Sequence, residues 1–136
     1  MNLYGIIILI SAYIVGIFGG APLVGRVLKN FAISQIPQLE EGLPRAGRMI
    51  GMLERSIILT FSFFGDFASI SFIFLAKSMA RFRQLENRQF AEYYLIGTLL
   101  SFFFALLVWI MVEVIWDALQ LSPFPLVNLN WFTTFM

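Results

Sequence analysis

The stretch SIILTFSFFGDFASISFIFLA, Ser56 to Ala76, decides the fold. Two apolar arms flank a Gly65-Asp66 step. Read as one helix, the stretch crosses a bilayer with Asp66 at its centre. Read as a hairpin, the chain doubles back at Gly65-Asp66. The cations separate the two readings. All nine Lys/Arg residues fall between Arg26 and Arg88, and the flanking segments Leu3–Gly25 and Tyr93–Val112 carry no charge. A single crossing puts Lys77, Arg81, Arg83 and Arg88 opposite Arg26, Lys29, Arg45 and Arg48. A turn returns them to one side, and membrane proteins gather their basic loops on the cytoplasmic face. The hairpin is therefore the predicted structure, with glycine tolerating the turn and Asp66 placed to cap the helix that follows.

Of 136 residues, 60% are hydrophobic and 12% charged, against roughly 45–50% and about 25% in soluble domains. A soluble core of this size has no room for that much apolar surface, whereas lipid accepts it on the outside. The expected architecture is an all-α integral membrane domain over 1–136. About four spans, near 3–24, 49–64, 66–82 and 93–116, carry an interfacial tail at 118–136, and both termini lie outside. Met1–Tyr4 has no basic n-region, so the first apolar run reads as a mature span rather than a signal peptide. Gly19, Gly20 and Pro22 are expected to kink or end it, and Pro44 suits the first position of the next helix. Arg81 to Glu92 reads as a partly helical connector facing anionic headgroups. Tyr93, Tyr94 and Trp116 mark the interfaces of the last span.

Glu54 precedes Gly65 by as many residues as Lys77 follows Asp66, so the hairpin brings them to similar depth. A charge below the membrane surface is costly unless paired. Glu54, Arg55, Lys77 and Arg81 are thus the candidate intramembrane ion-pair set, with Glu54 facing Lys77, Arg81 or a basic group of a neighbouring subunit. Such a pair fixes helix register, lines an ion or proton path, or snorkels. Extended to Met49 and Phe82, each arm reaches ~25 Å, which favours full crossing over a re-entrant loop with Asp66 near the midplane. Asp66, Glu113 and Asp117 are the candidate pore or outer-mouth acids, or else hydrated helix ends. Small residues at Ala12, Gly16 and Gly20, at Gly47 and Gly51, and at Gly97, Ser101 and Ala105 permit close helix packing, within the protomer or between copies.

The chain has no Cys and no His, which excludes disulfides, thiolate–zinc sites and cysteine nucleophiles. No catalytic constellation, Walker loop or dinucleotide fingerprint occurs, and a net charge of +1 gives no reason to expect nucleic acid. The sequence therefore predicts no enzyme, no cofactor and no metal. It predicts a non-enzymatic membrane module whose partners are the lipid bilayer and further copies or other membrane subunits. A small oligomeric pore, of which a membrane effector is one form, is the alternative, and a proton-coupled carrier comes third. The uncharged aromatic tail is expected to rest on lipid, on the protomer's own helices or on another chain.

Three blocks carry a resemblance. They are Ala46-Gly47-Arg48-Met49-Ile50-Gly51-Met52-Leu53-Glu54-Arg55, then Ala76-Lys77-Ser78 with Arg81-Phe82, then Ala91 to Ser101. In order and spacing, over about Gly20 to Val112, they resemble the C-terminal membrane portion of a bacterial integral-membrane family of unknown function. The longer N-terminal part of those proteins has no counterpart here, and the position of Asp66 is more often an amide there. The resemblance implies a multi-pass protein of the bacterial cytoplasmic membrane. It marks Glu54, Arg55, Lys77, Ser78, Arg81 and Thr98 as the group to test, and it supplies no activity.

Overall fold

A computed structural model of the chain describes residues 3–29 and 45–119. The described residues are helical or lie in turns between helices, with no strand among them. Helix α1 (Leu3–Ile14) passes through a π-helical turn (Val15–Gly19) into α2 (Gly20–Lys29), and α3 (Ala46–Phe64) turns into α4 (Phe67–Ala80). A short 3₁₀ turn (Gln84–Glu86) then leads to α5 (Arg88–Ala118). Pro44 and the expected tail beyond Leu119 fall outside the described residues.

The first helix does not end at Gly19, Gly20 or Pro22. It runs unbroken from Leu3 to Lys29, 27 residues, with Gly20 in ordinary right-handed helical geometry. Proline removes one backbone donor and crowds the carbonyl four residues before it. The wider π turn lies immediately upstream and takes up that misfit, so the helix bulges instead of breaking.

The hairpin turn is built by a glycine. Gly65 adopts φ 71°, a left-handed conformation that costs a residue with a Cβ about 1 kcal/mol or more. Gly65 N donates to Ser62 O at 3.0 Å and Asp66 N to Phe61 O at 2.9 Å. This pair of bonds is the Schellman closure of a helix C-terminus. Asp66 then opens α4, its carboxylate accepting from Ser69 N at 3.1 Å and from the Ser69 hydroxyl. The fourth helix is accordingly shorter than the expected 66–82: Asp66 is its cap, and the chain leaves it at Arg81.

The last helix starts earlier than the expected 93. Asn87 caps it, Oδ1 accepting from Phe90 N at 3.1 Å, and Arg88 pairs with Glu92 one turn later at 2.9 Å. Part of the expected connector is thus the first turn of α5. The third helix likewise starts at Ala46 rather than 49.

Among the described residues two helices, Leu3–Lys29 and Arg88–Ala118, are long and apolar enough to cross a membrane. At ~1.5 Å per residue they reach ~40 and ~46 Å, beyond a ~30 Å hydrocarbon layer. The hairpin arms are shorter, ~28 Å for α3 and ~21 Å for α4 by the same rise. Phe67 at the tip packs edge-on to Trp109, ring centroids 5.6 Å apart, so α5 continues past the tip. The core lies between α1, α3, α4 and α5 and contains Ala12, Ile58, Leu59, Phe63, Ile70, Ala105, Val108, Val112 and Trp116. Glycines carve its seams. A Cβ at Gly16 would lie 2.4 Å from Leu59 Cδ1, and one at Gly5 would lie 2.6 Å from the Trp116 indole.

Candidate functional site

Arg55 is the chemical centre of the described bundle. It is only 3% exposed and makes three hydrogen bonds. Its Nε and Nη2 donate to the Ile17 carbonyl at 3.1 and 2.7 Å, and its Nη1 donates to Ser101 Oγ at 3.1 Å. Ile17 stands near the middle of the first helix and Ser101 near the middle of α5. The guanidinium therefore ties three helices together at mid-depth.

Local structure prepares this contact from both sides. Ile17 belongs to the π turn, where the regular four-residue ladder is interrupted and a carbonyl becomes available to an outside donor. Gly20 supplies the space, since a Cβ there would meet Arg55 Cδ at 2.7 Å and Nε at 2.8 Å. The Ala12/Gly16/Gly20 stripe thus faces α3 within the protomer, Gly16 receiving Leu59 and Gly20 receiving Arg55.

Glu54 and Lys77 form the second element. Lys77 Nζ donates to Glu54 Oε2 at 2.6 Å, with side chains 21% and 13% exposed. Of the partners the sequence offered to Glu54, the hairpin thus presents Lys77. Arg81 is elsewhere, its guanidinium carbon 5.9 Å from the centroid of the Phe90 ring. Arg55 forms no ion pair among the described residues. One residue after Glu54, it is rotated by about 100° around α3, which turns it away from α4 toward the first helix and α5. Its acceptors are a carbonyl and a hydroxyl.

Tyr94 completes the layer, with Lys77 Nζ 5.5 Å from its ring centroid. Its hydroxyl neighbours Ser78 and Thr98. A small cavity adjoins the pair and is bounded by Glu54, Lys77, Thr98 and Ser101 together with apolar side chains. Its volume open to the centre of a water-sized sphere is about 20 Å³, room for about one water and not for an organic substrate.

The other candidate residues lie apart from this layer. Asp66 caps the hairpin tip, and the Ser69 hydroxyl holds its carboxyl below the ordinary carboxylate range. Glu113 and Asp117 lie near the end of α5, Asp117 exposed. Glu113 Oε1 is buried beside the Trp109 indole N–H on the same helix. Gly97 packs on Leu28, 3.3 Å from a Cβ to Leu28 Cδ1, and Ser101 and Ala105 are buried on the same face. Among the described residues nothing lies within 4 Å of a Cβ at Gly47, and only Arg55 Nη1, at 3.4 Å, approaches one at Gly51. That pair seats no neighbouring helix of the described fold.

Sequence reasoning missed three participants. The Ile17 carbonyl carries no side-chain signal at all. The sequence marks Ser101 by its small size, whereas its hydroxyl is the acceptor. It marks Tyr94 as an interfacial residue, whereas its ring lies beside Lys77. A contact between Tyr13 and Thr60 hydroxyls, at 2.7 Å, also ties α1 to α3 without a sequence cue.

A scan against protein-family models finds no match, and neither a search of curated proteins nor one of solved structures finds one.

Proposed function

We propose that the chain is a non-enzymatic, multi-pass module of the bacterial cytoplasmic membrane that assembles with copies of itself or anchors a partner complex. One observation carries this reading. The deep polar groups are spent inside the protomer, Arg55 on Ile17 and Ser101 and Glu54 on Lys77, while the outward positions are large and apolar. Ile10, Ile14 and Phe18 on the first helix, Phe72 and Leu75 on α4, and Phe103, Met111 and Val114 on α5 are all exposed. A soluble domain buries such residues, whereas lipid or another membrane helix receives them.

In this reading four helical segments cross, with both termini outside. The hairpin carries Arg26, Lys29, Arg45, Arg48, Arg83 and Arg88 to the cytoplasmic end and leaves Asp66, Glu113 and Asp117 at the other, consistent with the positive-inside bias. The blocks that resemble the bacterial membrane family contain Glu54, Arg55, Lys77, Ser78, Arg81 and Thr98; all but Arg81 adjoin the interhelical layer, which supports the reading for those five. Native mass spectrometry of the protein extracted in mild detergent tests the proposal. A defined oligomer or a co-purifying membrane subunit is expected; a monomer without a partner overturns it.

A pore is the second reading, favoured by Glu113, whose carboxyl Oε1 is buried on the same helix as the exposed Asp117. Conduction in liposomes that falls in Glu113→Gln and Asp66→Asn would establish it in place of the first.

A further inference from the structure

We propose that the cavity bounded by Glu54, Lys77, Thr98 and Ser101 binds one water molecule, which joins the ion pair to the Arg55 site. The volume available to a water centre, about 20 Å³, exceeds the roughly 10–15 Å³ that one water requires. Most of the wall is hydrocarbon, from Ile58, Ile70, Ile73, Phe74 and Phe102, but four side chains with hydrogen-bonding groups interrupt it, and a water needs two to four such partners.

The donors and acceptors match a water on both counts. Lys77 gives one of its three protons to Glu54 Oε2 and has others to give. Ser101 Oγ accepts from Arg55 and keeps its own proton as a donor. Those two groups donate to the water. Glu54 through Oε1 and Thr98 through its hydroxyl oxygen accept from it. The water thereby makes four bonds, the upper end of what buried waters make. Phe74 and Phe102 close the apolar side of the cavity. With the water in place, one connected network runs from Lys77 on α4 through Glu54 and Ser101 to Arg55 and the Ile17 carbonyl. The ion pair and the guanidinium then act as one unit.

Radiolytic hydroxyl-radical footprinting of the full chain in phosphatidylethanolamine/phosphatidylglycerol nanodiscs tests this, because a radical formed at a bound water oxidises the rings beside it. Oxidation of Phe74 and Phe102 is expected to exceed that of Phe63, which is 3% exposed in the dry core, by about five-fold. Thr98→Val keeps the volume and removes one partner, so it is expected to lower the signal by about two-fold, since a polar cavity holds water through two to four partners. Phe74 and Phe102 no more oxidised than Phe63 would overturn the proposal, and a signal unmoved by Thr98→Val would overturn the assigned site. Phe103, which is 58% exposed and faces outward, reports separately on the membrane reading, because lipid shields it and bulk water does not. Rapid mixing with ¹⁸O-water separates the two sources, since label from a bound water lags that from bulk.

Discussion

Replacing Arg55 by Met removes the guanidinium and keeps most of the stem, and the outcome is a contest between two opposing terms. The wild-type side chain makes three charge-assisted hydrogen bonds, each worth about 1.5–3 kcal/mol. In the proposed four-span arrangement, the cost of holding an arginine at the centre of a membrane helix stands against them, about 3 kcal/mol on insertion scales. At about 2 kcal/mol per bond the bonds win by about 3 kcal/mol, so Arg55→Met is expected to be destabilised by that order. Ser101→Ala loses one bond of the three and is expected to cost about 1–2 kcal/mol. Reversible unfolding in mixed micelles with increasing sodium dodecyl sulfate, followed by tryptophan fluorescence, measures both. A buried charge exchanged for an apolar side chain is sometimes neutral or stabilising. If Arg55→Met proves as stable as the wild type, desolvation dominates, and the guanidinium is not what holds the three helices together.

Glu54→Gln leaves Lys77 charged and unpaired in a largely buried site, so it is expected to cost about 2–3 kcal/mol, with Lys77→Met restoring much of the loss in the double variant; a double-mutant cycle in the same micelles checks it. Gly16→Ala and Gly20→Ala drive a methyl into Leu59 and Arg55 and are expected to cost about 1–3 kcal/mol, while Gly47→Ala, with open space around it, is expected to be neutral or to gain up to about 1 kcal/mol of helix propensity. The Asp66 carboxyl is held below its ordinary range by Ser69, so its contribution to the hairpin is present above the unfolded-state value of about 4 and is lost as pH falls through the lower folded value. The protection factor of the Ser69 amide, its exchange rate divided into the intrinsic rate at the same pH, is therefore expected to fall under acid in the wild type and to stay constant in Asp66→Asn.

How much of this was written in the sequence varies by element. The turn at Gly65-Asp66 was legible because two independent signals coincide there, a residue pair suited to the geometry and a charge map that forbids a single crossing. The Glu54–Lys77 register followed from counting outward from that turn. The continuity of the first helix was not legible. Proline and glycines signal a break, and only the packing of α3 against that face shows that a π turn absorbs them. The role of Arg55 was misjudged for a related reason. Charges suggest charged partners, but the acceptor here is a main-chain carbonyl, which every residue carries and no residue type advertises. The start of α5 at Arg88 was obscured because a span was sought, and spans are bounded by charge, whereas helices are bounded by caps such as Asn87.

The hairpin tip lies beside Trp109, and α5 rises about 14 Å further to Ala118 by the helical rise. In a bilayer, lipids above Phe64 and Phe67 meet a step, with tall walls on one side and a low shelf on the other. Acyl chains have to dip to cover that shelf, and a dented bilayer costs a fraction of a kcal/mol for each ångström of misfit. A thinner membrane shrinks the dent, and a neighbouring chain filling it spares the lipids the deformation. For the assembly proposed above, bilayer thickness then becomes a lever on how many copies gather, without any change in the protein itself.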